Sequence, residues 1–230
     1  MKFFKDLLRL FYPISCINCK THLLKNELYL CTHCKHDLPE IPITNYSDNE
    51  IKESFLGKTS VNLVASLFYY NTKGVTKKII HQLKYKNNQE IGIYFGDWLG
   101  NKLKESNEFN TIDFIVPVPL HPTKFKKRGY NQLTYFGEQL SKHLKTVYIT
   151  DILTKTATTT SQTYKTRNER FNNTENTFHL TDRSIFNHKH ILLIDDVITT
   201  GATLEACCKE LQKTENIQIS IATMAFTNKF

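Results

Sequence analysis

No stretch of this 230-residue chain approaches the ~18 consecutive apolar residues that a membrane span requires. There is no internal repeat, which excludes a repeat array. The segment Met1 to Tyr12 is hydrophobic and basic, yet Lys5, Asp6 and Arg9 break its apolar run and no small-residue cleavage site follows. It therefore lacks the marks of a signal peptide. It reads as a short amphipathic helix docked on its own domain, with Phe4, Leu7, Leu8 and Phe11 on one face and Pro13 as its stop. With no export signal the expected compartment is the cytoplasm, where thiols stay reduced and closely spaced cysteines indicate metal rather than disulfides.

What is present is ordinary for a globular α/β protein: 40% hydrophobic and 23% charged residues. The length allows one good core with a small satellite. The formal net charge of +8 favours polyanionic partners such as phosphorylated metabolites, nucleotides or nucleic acid, without choosing among them.

Four of the six cysteines lie within residues 16–34, and residues 38–46 carry two prolines and read as a connector. Residues 1–45 are expected to form the helix, a four-cysteine module and this connector; residues 46–230 are expected to form the main domain. From about Val61 strand and helix patterns alternate. VNLVASLFYY (61–70) and FIVPV (114–118) read as strands, as do HILLIDDV (190–197) and IQISIATMAF (217–226). Helical spacing recurs at Val75, Ile79, Ile80 and Leu83, at Ile93 to Leu103, from Tyr130 to Leu144, and from Ala202 to about Gln212. The alternation implies an α/β fold with a mostly parallel, doubly wound sheet. Residues 156–177 are polar, rich in Thr and Asn and nearly free of aliphatic side chains, and read as a long mobile loop or two-stranded flap.

The strongest motif is ILLIDDVITTGAT (191–203). A buried strand delivers Asp195 and Asp196 to its carboxyl end, where open α/β sheets bind ligands. Val197, Thr199, Thr200, Gly201, Ala202 and Thr203 follow and open a helix, so amides and hydroxyls can converge on one phosphate. Carboxylates beside a phosphate would repel it, but they suit hydroxyl donors such as a ribose diol. The segment thus matches a ribose 5-phosphate. The alternative, in which one aspartate binds Mg²⁺ or caps the helix, accounts for the acids but not for the whole string.

The second motif is VPVPLHPTKFKKRGYNQ (116–132). Pro117 and Pro119 stiffen the strand exit ahead of Leu120, His121, Lys124, Lys126, Lys127 and Arg128. A stiff loop with clustered cations suits pyrophosphate, and cations at a helix start oppose the dipole, which argues for an anion there. A solvated basic patch is the alternative. The third motif is the pair C-I-N-C and C-T-H-C: Cys16, Cys19, Cys31 and Cys34 can close a tetrahedral sulfur site. Structural zinc is expected, with iron–sulfur ligation as the other reading. His22, His33 and His36 are expected at the surface, and Cys207 and Cys208 in the core. The fourth is the loop with Gln162, Arg167, Arg170 and Asn173, which could close over a bound phosphate ester; a disordered linker is the alternative.

The string at 191–203 resembles the signature by which type I phosphoribosyltransferases bind 5-phosphoribosyl 1-pyrophosphate (PRPP). The resemblance implies that Asp195 and Asp196 hold the 2′ and 3′ hydroxyls and that Thr199 to Thr203 hold the 5′-phosphate. Taken together, the features resemble the ComF family, which joins a CxxC…CxxC zinc module to a phosphoribosyltransferase domain. VPVPLHP stands at 116–122, RGYNQ at 128–132 and DDVITTGAT at 195–203. Gln162, Arg167, Arg170, Asn173 and Phe178 fall in place, while Asn176 sits where glycine is usual, Thr123 where a basic residue is common, and Lys124 and Lys126 where arginine is frequent. The resemblance implies a type I phosphoribosyltransferase fold with a zinc-ribbon-like module and a link to DNA uptake and natural transformation. Two functions follow as expectations. One is an enzyme that uses Mg²⁺ with PRPP, with the acid pair and Arg128 at the reacting centre and an unnamed acceptor. The other is a non-enzymatic sensor of PRPP or a nucleotide that engages single-stranded DNA or a competence helicase. For the second, Lys77, Lys78, Lys84 and Lys86 extend a basic surface, which a solvated helix face explains equally well, while Phe68, Tyr69, Tyr70 and Tyr85 could stack on bases but read as core.

Overall fold

A computed structural model describes residues 14–156 and 178–228. The expected N-terminal helix, and Gln162, Arg167, Arg170, Asn173 and Asn176, lie outside the described residues.

The main sheet uses β1 (Val64–Tyr69), β2 (Phe114–Pro117), β3 (Val147–Tyr148), β6 (His190–Ile198) and β7 (Gln218–Phe226). Every pairing in it is parallel, in the order β1-β7-β6-β2-β3. A short antiparallel pair, β4 (Leu153–Lys155) with β5 (Phe178–Leu180), flanks the segment 156–177. The near-continuous apolar runs of β6 and β7 are those of strands covered on both faces.

Right-handed crossovers explain the layers. From β1 through β2 to β3 the chain steps one way across the sheet, and its helices α3 (Val75–Tyr85), α4 (Glu90–Ser106), α5 (Pro122–Arg128) and α6 (Thr134–Leu144) belong to that passage. From β6 to β7 it steps back through α7 (Ala202–Leu211), which places α7 on the opposite face. Helices α4 and α6 pack closely because Gly92, Gly96 and Gly100 form a stripe along α4. A β-carbon at Gly100 would lie 2.6 Å from the ring of His143.

The cysteine module holds a turn at residues 16–20, in which Lys20 donates its N–H to Cys16 O, and α1 (Thr32–His36), capped by the Cys31 thiol. Residues 39–41 then run antiparallel to the free edge of β1: Ile41 N–H donates to Leu67 O and Tyr69 N–H to Pro39 O. An edge that would otherwise expose unpaired amides is covered. The module also touches the main body through Tyr29 Oη donating to Glu90 (3.0 Å), Lys78 donating to Asn18 (3.0 Å), and Lys35 over the Trp98 ring. A four-residue helix, α2 (Glu50–Glu53), follows and is capped by Asn49.

Two expectations need correction. The helix expected from Tyr130 begins only at Thr134. The cations expected in a stiff loop at a helix start instead lie in α5, with Lys126, Lys127 and Arg128 in its last turn. Pro122 at the start of α5 and the His121 ring, which accepts from Thr123 N–H, nucleate this helix; Gly129, at φ 80°, ends it. Cations in a last turn complement the helix dipole, so the dipole gives no support for an anion here.

Candidate functional site

Strand β6 pairs with β7 from His190–Gln218 through Ile194–Ala222 before it presents its acids, the first of which, Asp195, pairs with Thr223. The acids therefore lie within the strand, ahead of Val197 and Ile198, rather than at its last residues. Alternation turns them to opposite sides. Asp196 N–H donates to Asp195 Oδ1 at 2.8 Å. Burial, then the neighbouring Asp196 charge, pushes the Asp195 carboxyl up to about 8, against the pull of the Asp196 N–H, Lys84 and Lys155.

Asp196 is 4% exposed, and both its oxygens are taken. Lys84 Nζ of α3 lies 2.8 Å from Oδ1, and Gln132 Nε2 donates to Oδ2 at 2.6 Å. Arg128 in turn donates to Gln132 Oε1. The RGYNQ segment is tied to the end of α3 a second time, because Tyr130 Oη donates to Leu83 O at 2.6 Å and Arg128 lies over the Tyr85 ring.

Beyond Ile198 the chain turns through Thr199 and Thr200, both exposed, into Gly201 at φ 77°. This left-handed conformation is one that a side chain would strain. Gly201, the N-cap of α7, has no side chain to cap it; the Ala202 N–H reaches back to Thr200 Oγ1 at 3.4 Å, and the Thr203 amide follows in the first turn. The turn offers hydroxyls, backbone amides and the positive end of a ten-residue helix in one place.

Between α3 and α5 lies a cavity of about 370 Å³, bordered by Lys84, Tyr85, Lys124, Lys127, Arg128 and Tyr130. Among the described residues no carboxylate borders it. A larger hollow, of about 710 Å³, lies across Tyr130 and is bordered by Pro119, Leu120, Phe125 and Lys155. Of the residues read from sequence, the structure gathers Lys124 and Arg128 at the cationic cavity and Pro119 and Leu120 at its neighbour. Lys126 borders neither, and His121 is engaged as the cap of α5.

Sequence reasoning missed Lys84, Gln132 and Lys155 as members of the site. Lys84 had read as part of a solvated helix face but turns inward to Asp196. Tyr85, read as core, is 64% exposed, whereas Phe68 is buried and Tyr69 and Tyr70 are half-buried.

The thiols of Cys16, Cys19, Cys31 and Cys34 lie within 4.8 Å of one another, with Cys19 and Cys31 Sγ 3.6 Å apart. A tetrahedral sulfur site with bonds of ~2.3 Å needs sulfur separations of roughly 3.8 Å, so the donor set fits a metal ion. Asn18 Nδ2 points at Cys34 Sγ (3.2 Å) and Cys34 N–H at Cys31 Sγ (3.5 Å), donors suited to thiolates. His22, His33 and His36 are exposed, and Cys207 and Cys208 are fully buried, as their spacing implied.

An open parallel sheet whose central strand carries paired acids ahead of a hydroxyl-rich, left-handed turn into a helix defines a type I phosphoribosyltransferase fold. The phosphoribosyl transferase domain model matches residues 81–229. Among relatives, the chain is 26% identical to competence protein F of Haemophilus influenzae over 224 residues, 91% of this chain and 96% of that protein. It is 32% identical to competence protein ComFC of Streptococcus pneumoniae over 64% of this chain and 61% of that one. It is 30% identical to DNA utilization protein YhgH of Escherichia coli K12 over 55% of this chain and 56% of that protein. Among solved structures it is similar to adenine phosphoribosyltransferase from Saccharomyces cerevisiae (16% identity, TM-score 0.40, 62% of this chain and 72% of that one) and to that from Trypanosoma brucei (13%, 0.39, 80% and 82%). The chain belongs to the phosphoribosyl transferase domain family and, within it, to the ComF family. Among the described residues no helix is long and apolar enough to cross a membrane.

Proposed function

We propose that the chain binds PRPP, or a closely related ribose 5-phosphate, across the junction of β6 and α7. The observation that carries this reading is the adjacency of two unlike subsites: an acid pair that can accept from a diol, and a glycine-led helix start with exposed hydroxyls and amides that can donate to a phosphate. Asp195 and Asp196 take the ribose hydroxyls, and Thr199, Thr200, Gly201, Ala202 and Thr203 take the 5′-phosphate. The cations Lys124 and Arg128 receive the pyrophosphate from the cavity bordered by Lys84, and Mg²⁺ accompanies that group to offset its charge. By the family pattern, Gln162, Arg167 and Arg170 contribute further donors to the same group. If transfer to an acceptor follows, its rate comes from positioning and from stabilising pyrophosphate as the C1 bond breaks.

Residues 1–45 form the second unit in this reading, with zinc on Cys16, Cys19, Cys31 and Cys34. Four protein thiolates leave no open position, so the metal is structural. The names of the relatives, competence protein and DNA utilization protein, support a place in DNA uptake on the cytoplasmic side.

The test is calorimetric titration with Mg-PRPP of the wild type and of Asp195→Asn and Asp196→Asn. Binding by the wild type that falls by at least roughly tenfold in each variant supports the reading. Equal affinity in all three would remove the acids from the site.

A second reading, a silent PRPP sensor that holds single-stranded DNA or a competence helicase, is favoured by one feature. Lys20, Lys73, Lys77, Lys78 and His81 border a groove of about 610 Å³ between the cysteine module and α3. Single-stranded DNA binding through such lysines should weaken steeply with salt; a salt-insensitive titration speaks against it.

A further inference from the structure

The cluster that the sequence did not disclose is the one around Lys84. This residue stands at the end of α3, outside all the motifs read from the chain, yet its ammonium lies 2.8 Å from Oδ1 of a buried carboxylate in the central strand. Its side chain is 24% exposed, and the exposed part borders the cationic cavity. A single lysine thus bridges the acid pair and the hollow beside it.

Its surroundings fix it there. Leu83, its predecessor, is fully buried and accepts the Tyr130 hydroxyl through its carbonyl, so the end of α3 is anchored. Gln132 occupies the other oxygen of Asp196, and Arg128 holds Gln132. The charges that face the acid pair come from three elements: Lys84 from α3, Lys155 from β4, and Arg128 from α5 through Gln132. Cys207 of α7 lies close enough to feel Asp195. Of these, Lys84 alone is in ion-pair contact with either acid among the described residues.

Two adjacent carboxylates in a buried site cannot both stay ionised without a cation in contact. A sugar hydroxyl, in turn, is held most firmly by an acceptor that is charged and fixed in orientation. We propose that Lys84 is a positioning residue of the ribose site: its ammonium offsets the charge of the acid pair, orients Asp196 for a sugar hydroxyl, and links the pair to the phosphate-binding cavity. The inference rests on the ribose 5-phosphate reading above and adds to it a residue that the family motifs in this sequence do not contain.

The sign of the test follows from the charge. Without Lys84 the acid pair loses its contacting cation and holds the proton it carries more tightly. That proton, which the wild type sheds toward about pH 8, must then be expelled by the ligand over a wider pH range. Affinity for Mg-PRPP in Lys84→Ala should therefore fall roughly 10- to 100-fold at pH 7. It should recover as pH rises, along a steeper profile than that of the wild type. Lys84→Arg, which keeps the charge, should restore most of the affinity and the wild-type profile.

The experiment is titration with Mg-PRPP between pH 6 and pH 9 for the wild type, Lys84→Ala and Lys84→Arg, with melting curves for each. A wild type that binds while Lys84→Ala binds equally well at every pH would overturn the inference and leave the ligand assignment standing. So would a loss of the same size at all pH values that arginine does not relieve, since that is the mark of a merely structural contact. A wild type that fails to bind Mg-PRPP would overturn the ligand assignment, and this inference with it.

Discussion

Asp195 sits where a carboxylate is least comfortable, inside a parallel strand with another acid as its neighbour. Its proton affinity in the fold, raised to about 8 from an ordinary value near 3.8, has a consequence for stability. The folded state holds a proton there that the unfolded chain has already released, so stability is greatest below the ordinary value and is lost as pH rises toward about 8. Asparagine carries no such proton. Melting temperature should therefore fall less between pH 5 and pH 8 in Asp195→Asn than in the wild type, as read by thermal denaturation. Parallel slopes in the two proteins would show that Asp195 is ionised in the fold. The acids were legible in the sequence because a run of aliphatic residues followed by two aspartates and a Thr-Thr-Gly turn has few other uses. Lys84 was not legible: it is one lysine among several at the end of an amphipathic helix, and only the tertiary path of α3 brings it to β6.

At the scale of elements, the long periodic segments declared themselves. Strands β6 and β7 and helices α3, α4 and α7 lie where spacing placed them. Helix α5 did not, because a proline-led, lysine-rich stretch has no apolar face; its start depends on the His121 cap and its end on Gly129. Strands β3, β4 and β5 are two or three residues long, too short for an alternation to register, and they exist through their partners. The close approach of α4 and α6 depends on the glycine stripe. Gly100→Val should cost about 1–3 kcal/mol, since the new side chain must displace the His143 ring, which also contacts Asp97 at 3.0 Å. Chemical denaturation measures this; an unchanged midpoint would mean that the helices part freely.

Over the whole molecule, the cysteine module and the sheet share one apolar core: Cys16, Cys34, Leu38 and Ile41 are buried in the same cluster as Phe68 and Leu83. The spacing of the knuckles predicted a metal site, but not that the segment behind it would pair with β1 and so make the module part of the fold's edge. Metal loss should thus be felt beyond the module. Cys31→Ser, or treatment with a strong chelator, should lower both zinc content and melting temperature, and should raise amide exchange at Ile41 and Tyr69. Full protection of these amides in zinc-free protein would show the two parts to be independent.

The central claim is that the acid pair and the turn beside it together hold a ribose 5-phosphate. Heat measured on adding Mg-PRPP to the wild type, Asp195→Asn and Asp196→Asn tests it most directly. The account predicts saturable binding by the wild type and roughly tenfold or greater weakening in each variant, with folding intact. Undiminished binding by both variants, or none by the wild type, would contradict it.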